Sequence, residues 1–91
     1  MWSWLTLMLS RLTTKHQVTI KWTASTDSVS GYNVYRGTSA GSETNKLNSQ
    51  PIQVTTFTDS KAVVGTRFYA VRSVFGNLLS VLSNSVKVTI K

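Results

Sequence analysis

From His16 onward, apolar and polar residues alternate with a period of two, broken at short intervals by turn-forming residues, which is the pattern of half-buried strands. Val18, Ile20 and Trp22 share one face of a strand, and Thr19, Lys21 and Thr23 share the other. A polar connection over 24–30 leads to a strand with Tyr32 and Val34 inward and Asn33 and Tyr35 outward. Residues 37–44 (GTSAGSET) read as the loosest loop of the chain. Residues 46–48 fit a short edge strand, followed by Pro51, which cannot donate to a ladder. Another short strand is predicted over 55–58, then a turn, then a long strand over 66–75. In that strand Tyr69, Val71 and Ser73 face inward and Arg72 outward, since the opposite phase would bury an unpaired charge at a cost of several kcal/mol. Gly76 and Asn77 form a turn, and Val86, Val88 and Ile90 line the inner face of a last strand with Lys87 and Lys91 outside. Leu5, Leu7 and Leu9 alternate with Thr6, Met8 and Ser10, so a first strand is placed there. The pattern predicts seven strands and an all-β chain.

Composition agrees. Val, Ile and Thr supply 27 residues against 4 Ala and 3 acids, and side chains branched at Cβ favour pleated strands over helices. Ninety-one residues make a single domain over 1–91. Without Cys there is no disulfide framework and no thiolate metal site. The 10 Lys and Arg against 3 acids give a net charge of +7, a field that attracts polyanions. These cations are dispersed, with no two adjacent, which argues against a tracked nucleic-acid groove. The apolar stretch 2–9 (WSWLTLML) is shorter than the roughly 20 residues of a membrane-spanning helix. It also lacks the preceding positive charge of a secretory signal, so no clear signal peptide and no transmembrane segment are expected. Trp2 and Trp4 would form an adhesive patch or a membrane-surface anchor if exposed.

Candidate chemistry is sparse. Gly37, Ser39 and Gly41 match the G-x-S-x-G spacing of a hydrolase nucleophile elbow, but no helix follows, and the only His, His16, precedes the serine. His16 and three carboxylates (Asp27, Glu43, Asp59) do not staff a metal site, so no catalytic residue, metal or cofactor is expected. Asp59 is expected to bond amides of its own turn. Tyr35 together with Phe68, Ala70 and Arg72 would form an outward aromatic and basic patch on one sheet, suited to polysaccharide, polyanion or a partner domain.

Six segments in order carry a family resemblance: the strand ending in Trp22, GYNVYRGTSAG at 31–41, KLN at 46–48, FTD at 57–59, GTRFYAVRSV at 65–74 and LSNSVKVTI at 82–90. Over about residues 16–91 the chain resembles a fibronectin type III domain, in particular the bacterial accessory modules of secreted glycoside hydrolases and other surface proteins. The first 15 residues depart from it, lacking the usual proline. The resemblance implies a seven-stranded immunoglobulin-like β-sandwich in which strands A, B and E face C, C′, F and G. Trp22 would be its core indole, with Tyr32, Val34 and Val71 beside it. Tyr69, rather than Phe68, would bond back to the preceding connection. Arg36, Gly37 and Thr38 lack the carboxylate of the Arg-Gly-Asp tripeptide, so integrin contact is not implied. The implied role is a non-catalytic spacer or protein-interaction module of a secreted or surface multidomain protein, with neighbouring domains as partners. The alternative is a carbohydrate- or polyanion-binding domain using Tyr35, Phe68 and Arg72.

Overall fold

The strand-favouring residues form two antiparallel sheets in the computed structural model, which describes residues 7–8, 17–25 and 28–90. Its strands are β1 (Leu7–Met8), β2 (Val18–Trp22), β3 (Gly31–Gly37), β4 (Asn45–Lys46), β5 (Thr56–Asp59), β6 (Gly65–Phe75), β7 (Leu78–Leu79) and β8 (Val86–Ile90). One sheet has the order β1-β2-β5; the other runs β4-β3-β6, with β7 and β8 both on the far side of β6. Among the described residues there is no helix. The chain is all-β; β8 coincides with the last expected strand, and β7, directly after the Gly76–Asn77 turn, is an additional short strand that the alternation did not place. Of the predicted first strand, Leu7 and Met8 pair with Lys21 and Trp22, while Leu5, Leu9, Trp2, Trp4 and His16 lie outside the described residues.

The two inner faces meet along the alternation read from the chain. Val18, Ile20 and Trp22 of β2 pack with Tyr32 and Val34 of β3, Tyr69 and Val71 of β6, and Val88 and Ile90 of β8. Trp22 and Tyr32 meet edge to face, with ring centroids 5.5 Å apart and planes at 66°. The Tyr32 hydroxyl accepts the Ser25 amide at 2.9 Å, which fastens the connection after β2 to the core. Each fully buried aliphatic side chain here contributes about 1.5–3 kcal/mol through removal from water.

The edges of the larger sheet are completed by side chains standing in for backbone. Ser80 donates its amide to the Ser73 carbonyl at 3.0 Å, and its hydroxyl accepts the Ser73 amide at 2.8 Å. Ser83 does the same to Val71, at 2.9 and 2.8 Å. Each hydroxyl then donates to the next carbonyl in its own strand, at 2.9 Å to Val81 and 3.0 Å to Asn84. Between the Ser80–Ser73 and Ser83–Val71 pairs the edge carries one more residue than β6 does, and the same happens again before Val86 reaches Tyr69. Those two inserted residues are what split the strand.

Asn48 plays the matching part on the opposite edge. Its Oδ1 accepts the Val34 amide at 2.8 Å, and its Nδ2 donates to Tyr32, Asn33 and Gln50 oxygens between 2.8 and 3.3 Å. The predicted strand over 46–48 therefore stops at Lys46: Leu47 still donates its amide to the Val34 carbonyl at 2.8 Å, but the Val34 amide goes to the Asn48 side chain instead of the Leu47 carbonyl. Ile52 then restores backbone pairing by a bridge to Tyr32. This crossing presses against Gly31, where a Cβ would lie 2.7 Å from Pro51 Cβ and 2.8 Å from the Ile52 carbonyl.

Ser83→Ala leaves the buried Val71 amide without its acceptor and should lower stability by about 1–3 kcal/mol in urea titrations. Ser83→Thr, which keeps the hydroxyl, should recover part of that loss. An alanine variant as stable as wild type would remove this role from the serine.

Candidate binding face

Strand alternation and register bring a defined set of side chains to the outer face of the larger sheet. Tyr35 lies opposite Lys46 on one side and Ala70 on the other; Phe68 lies opposite Lys87, and Arg72 opposite Asn33. Cross-strand partners share a face, so Tyr35, Phe68 and Arg72 are brought together there with Lys46 and Lys87. Neither lysine was assigned to this patch from the sequence, although strand pairing would have placed both.

The patch is tied together internally. The Arg72 guanidinium carbon sits 5.7 Å from the centre of the Tyr35 ring, and Arg72 Nη1 donates to the Ser80 carbonyl at 2.7 Å. Asn33 Nδ2 donates to the Tyr35 hydroxyl at 3.3 Å, and Asn33 Oδ1 accepts from Asn48 at 3.0 Å. Tyr35, Phe68 and Arg72 are all half-buried, and Ala70 is fully buried. The expectation that Ala70 would be part of an exposed patch is thus corrected: its methyl group stands between longer neighbours. The Tyr35 face that a sugar ring would stack on carries Arg72 instead.

A second cluster lies between the sheets. Arg36 follows Tyr32 and Val34 in the inward phase of β3, and its Nη1 donates to Asp59 Oδ2 at 2.6 Å. Tyr69 donates its hydroxyl to the same oxygen at 2.7 Å, while Asp59 Oδ1 accepts the Lys61 amide at 3.1 Å. Asp59 therefore does bond an amide of its turn, as expected, and also holds an arginine and a tyrosine that reasoning by residue type did not connect to it. Arg36 is the cation drawn inward here, its side chain retaining 16% of its exposure. An open groove beside this pair passes Lys46, Phe57 and Lys61. Both Asp59 oxygens are already engaged, so the carboxylate is occupied by structural bonds.

The nucleophile-elbow spacing has no catalytic setting among the described residues. Ser39 is exposed, and its carbonyl accepts the Ser42 amide at 3.1 Å in a turn. The loop over 37–44 is more closely held than its composition suggests: Gly41 donates to Ser85 Oγ at 3.2 Å, and Glu43 is buried. Neither Glu43 carboxylate oxygen has a hydrogen-bond partner. Asp27 lies outside the described residues. Among the described residues no group of three His, Cys, Asp or Glu side chains converges, and no helix is long and apolar enough to cross a membrane. Comparison with protein-family models, characterised proteins and solved structures finds no match to this chain.

Burial, then the bond to Asp59 and its negative charge, push the Tyr69 phenol well above its ordinary value of 10.0. As pH rises the unfolded chain releases this proton first, so the phenol's contribution is complete below about pH 10 and is lost progressively above it. Tyr69→Phe should cost about 1 kcal/mol at neutral pH and flatten the decline in stability between about pH 10 and 11.5. Urea midpoints across that range check it; an unchanged alkaline slope in the variant would count against the bond.

Proposed function

We propose that this chain is a non-catalytic spacer or protein-interaction module of a secreted or cell-surface multidomain protein, built as a seven-stranded fibronectin type III-like sandwich of the immunoglobulin type. The observation that carries this reading is the strand order. With β7 and β8 counted as one divided edge, β1-β2-β5 facing β4-β3-β6-β7/β8 follows the A-B-E and C′-C-F-G arrangement of that family. Chain direction supports the spacer role. Leu7 lies opposite Trp22, beside the connection over 23–30, whereas Ile90 lies opposite Gly65 at the other end of β6. Leu7 and Ile90 thus lie toward opposite ends of the sandwich. A stiff sandwich of this form keeps its neighbours apart without doing chemistry.

Placed between two fluorescent reporters, the chain should give a single narrow energy-transfer distribution that is insensitive to salt. A broad, salt-dependent distribution, as a flexible polymer gives, would overturn the spacer reading.

Charge favours a second reading, a polyanion-binding face. Both described carboxylates, Glu43 and Asp59, are buried, so every exposed charged side chain among the described residues is a cation. Lys46, Arg72 and Lys87 share the outer face of the larger sheet. Heparin retention at low salt, with Lys46→Ala/Lys87→Ala eluting at lower salt than wild type, is the expected result. Elution of wild type and variant together would remove this face from consideration. Polysaccharide stacking on Tyr35 is less favoured, because Arg72 covers the ring.

A further inference from the structure

The hairpin joining β6 to β7 and the residues just after it carry four of the seven exposed large hydrophobic side chains among the described residues. Inward phase on β6 takes Tyr69, Val71 and Ser73 into the core, and the next residue in that phase is Phe75, paired with Leu78. Phe75 and Leu78 are nevertheless 53% and 59% exposed, because the strand pair runs past the end of the facing sheet. Leu79 and Val81 beside them are 48% and 57% exposed. Four large apolar side chains within seven residues project from one end of the sandwich around a tight Gly76–Asn77 turn. Phe75 and Leu78 share one face of the strand pair and Leu79 the other, so the tip is apolar on both sides, and exposed apolar surface concentrated in this way marks a contact site.

Charge selects the partner. The exposed charged side chains are all cationic among the described residues, and one of them, Lys21, lies next to Trp22 at this end of β2. Apolar side chains at a tip and a net charge of +7, with no exposed carboxylate among the described residues, are complementary to a lipid headgroup layer of negative charge. We infer that the β6–β7 hairpin docks on an anionic bilayer surface, inserting Leu78, Leu79 and Phe75 among the headgroups while the positive body is drawn to the membrane plane. This site lies apart from the Lys46–Lys87 face and does not depend on the spacer reading.

The test is co-sedimentation of the full chain with phosphatidylcholine vesicles, with and without about a third phosphatidylserine, at low ionic strength. Wild type should partition onto the anionic vesicles, and far less onto pure phosphatidylcholine. Leu78→Ser/Leu79→Ser should lower that partitioning at least about tenfold, given the apolar area withdrawn. Thermal unfolding and heparin retention should be unchanged by this pair. Val81→Ser, outside the strand pairing, gives a second variant that should weaken partitioning in the same direction. Wild type failing to bind anionic vesicles overturns the inference, and so does equal binding by wild type and both variants, which is adsorption by charge alone. Sedimentation velocity showing self-association through Leu78 and Leu79 that excludes vesicles would assign the hairpin to a second copy instead.

Discussion

Asp59 is where the two sheets are fastened by something other than apolar contact. It comes from the smaller sheet, while Arg36 and Tyr69 come from adjacent strands of the larger one, and both reach the same oxygen. A carboxylate this buried is costly to desolvate, and its bonds to a guanidinium, a phenol and an amide offset that cost only in one alignment of the sheets. Slipping β3 by one residue would carry Arg36 to the outer face, and slipping β6 would do the same to Tyr69. The cluster therefore selects register at one end of the sandwich, much as the Trp22–Tyr32 contact fills the interior toward the other.

Away from that cluster, the polar side chains that matter most are those replacing backbone. Ser80, Ser83 and Asn48 each satisfy main-chain groups where regular pairing has lapsed. In a chain this short, losing even one such partner removes a sizeable part of a total margin of about 5–15 kcal/mol. Satisfaction is not complete: Trp22 Nε1, Ser73 Oγ and both Glu43 oxygens are buried without partners. Apolar packing around Trp22 carries the indole despite its unbonded N–H.

The alternation of side chains made most of the architecture legible. Inward positions such as Val18, Val34, Tyr69 and Val71 follow from a period of two, and the choice of Tyr69 over Phe68 followed from keeping Arg72 out of the core. Continued one step past Val34 the same period would put Arg36 inward, a step the sequence reading did not take, and its partner Asp59 is 23 residues away on the other sheet. Ser80, Ser83 and Asn48 were opaque for a related reason. Their residue types suit loops and turns, and only a strand lying alongside converts them into ladder members. The outer patch was legible as phase but not as contact: alternation named Tyr35 and Arg72, and cross-strand geometry put one over the other and brought Lys46 and Lys87 beside them.

The divided edge formed by β7 and β8 also bears on how molecules of this protein behave at high concentration. An uninterrupted outermost strand offers a regular row of unpaired amides and carbonyls, onto which a neighbour can add and begin a fibril. Here two inserted residues break the spacing of that row, and the serine hydroxyls cap carbonyls of their own strand. A chain rich in valine and threonine thereby keeps one of its margins unsuitable as a template for growth.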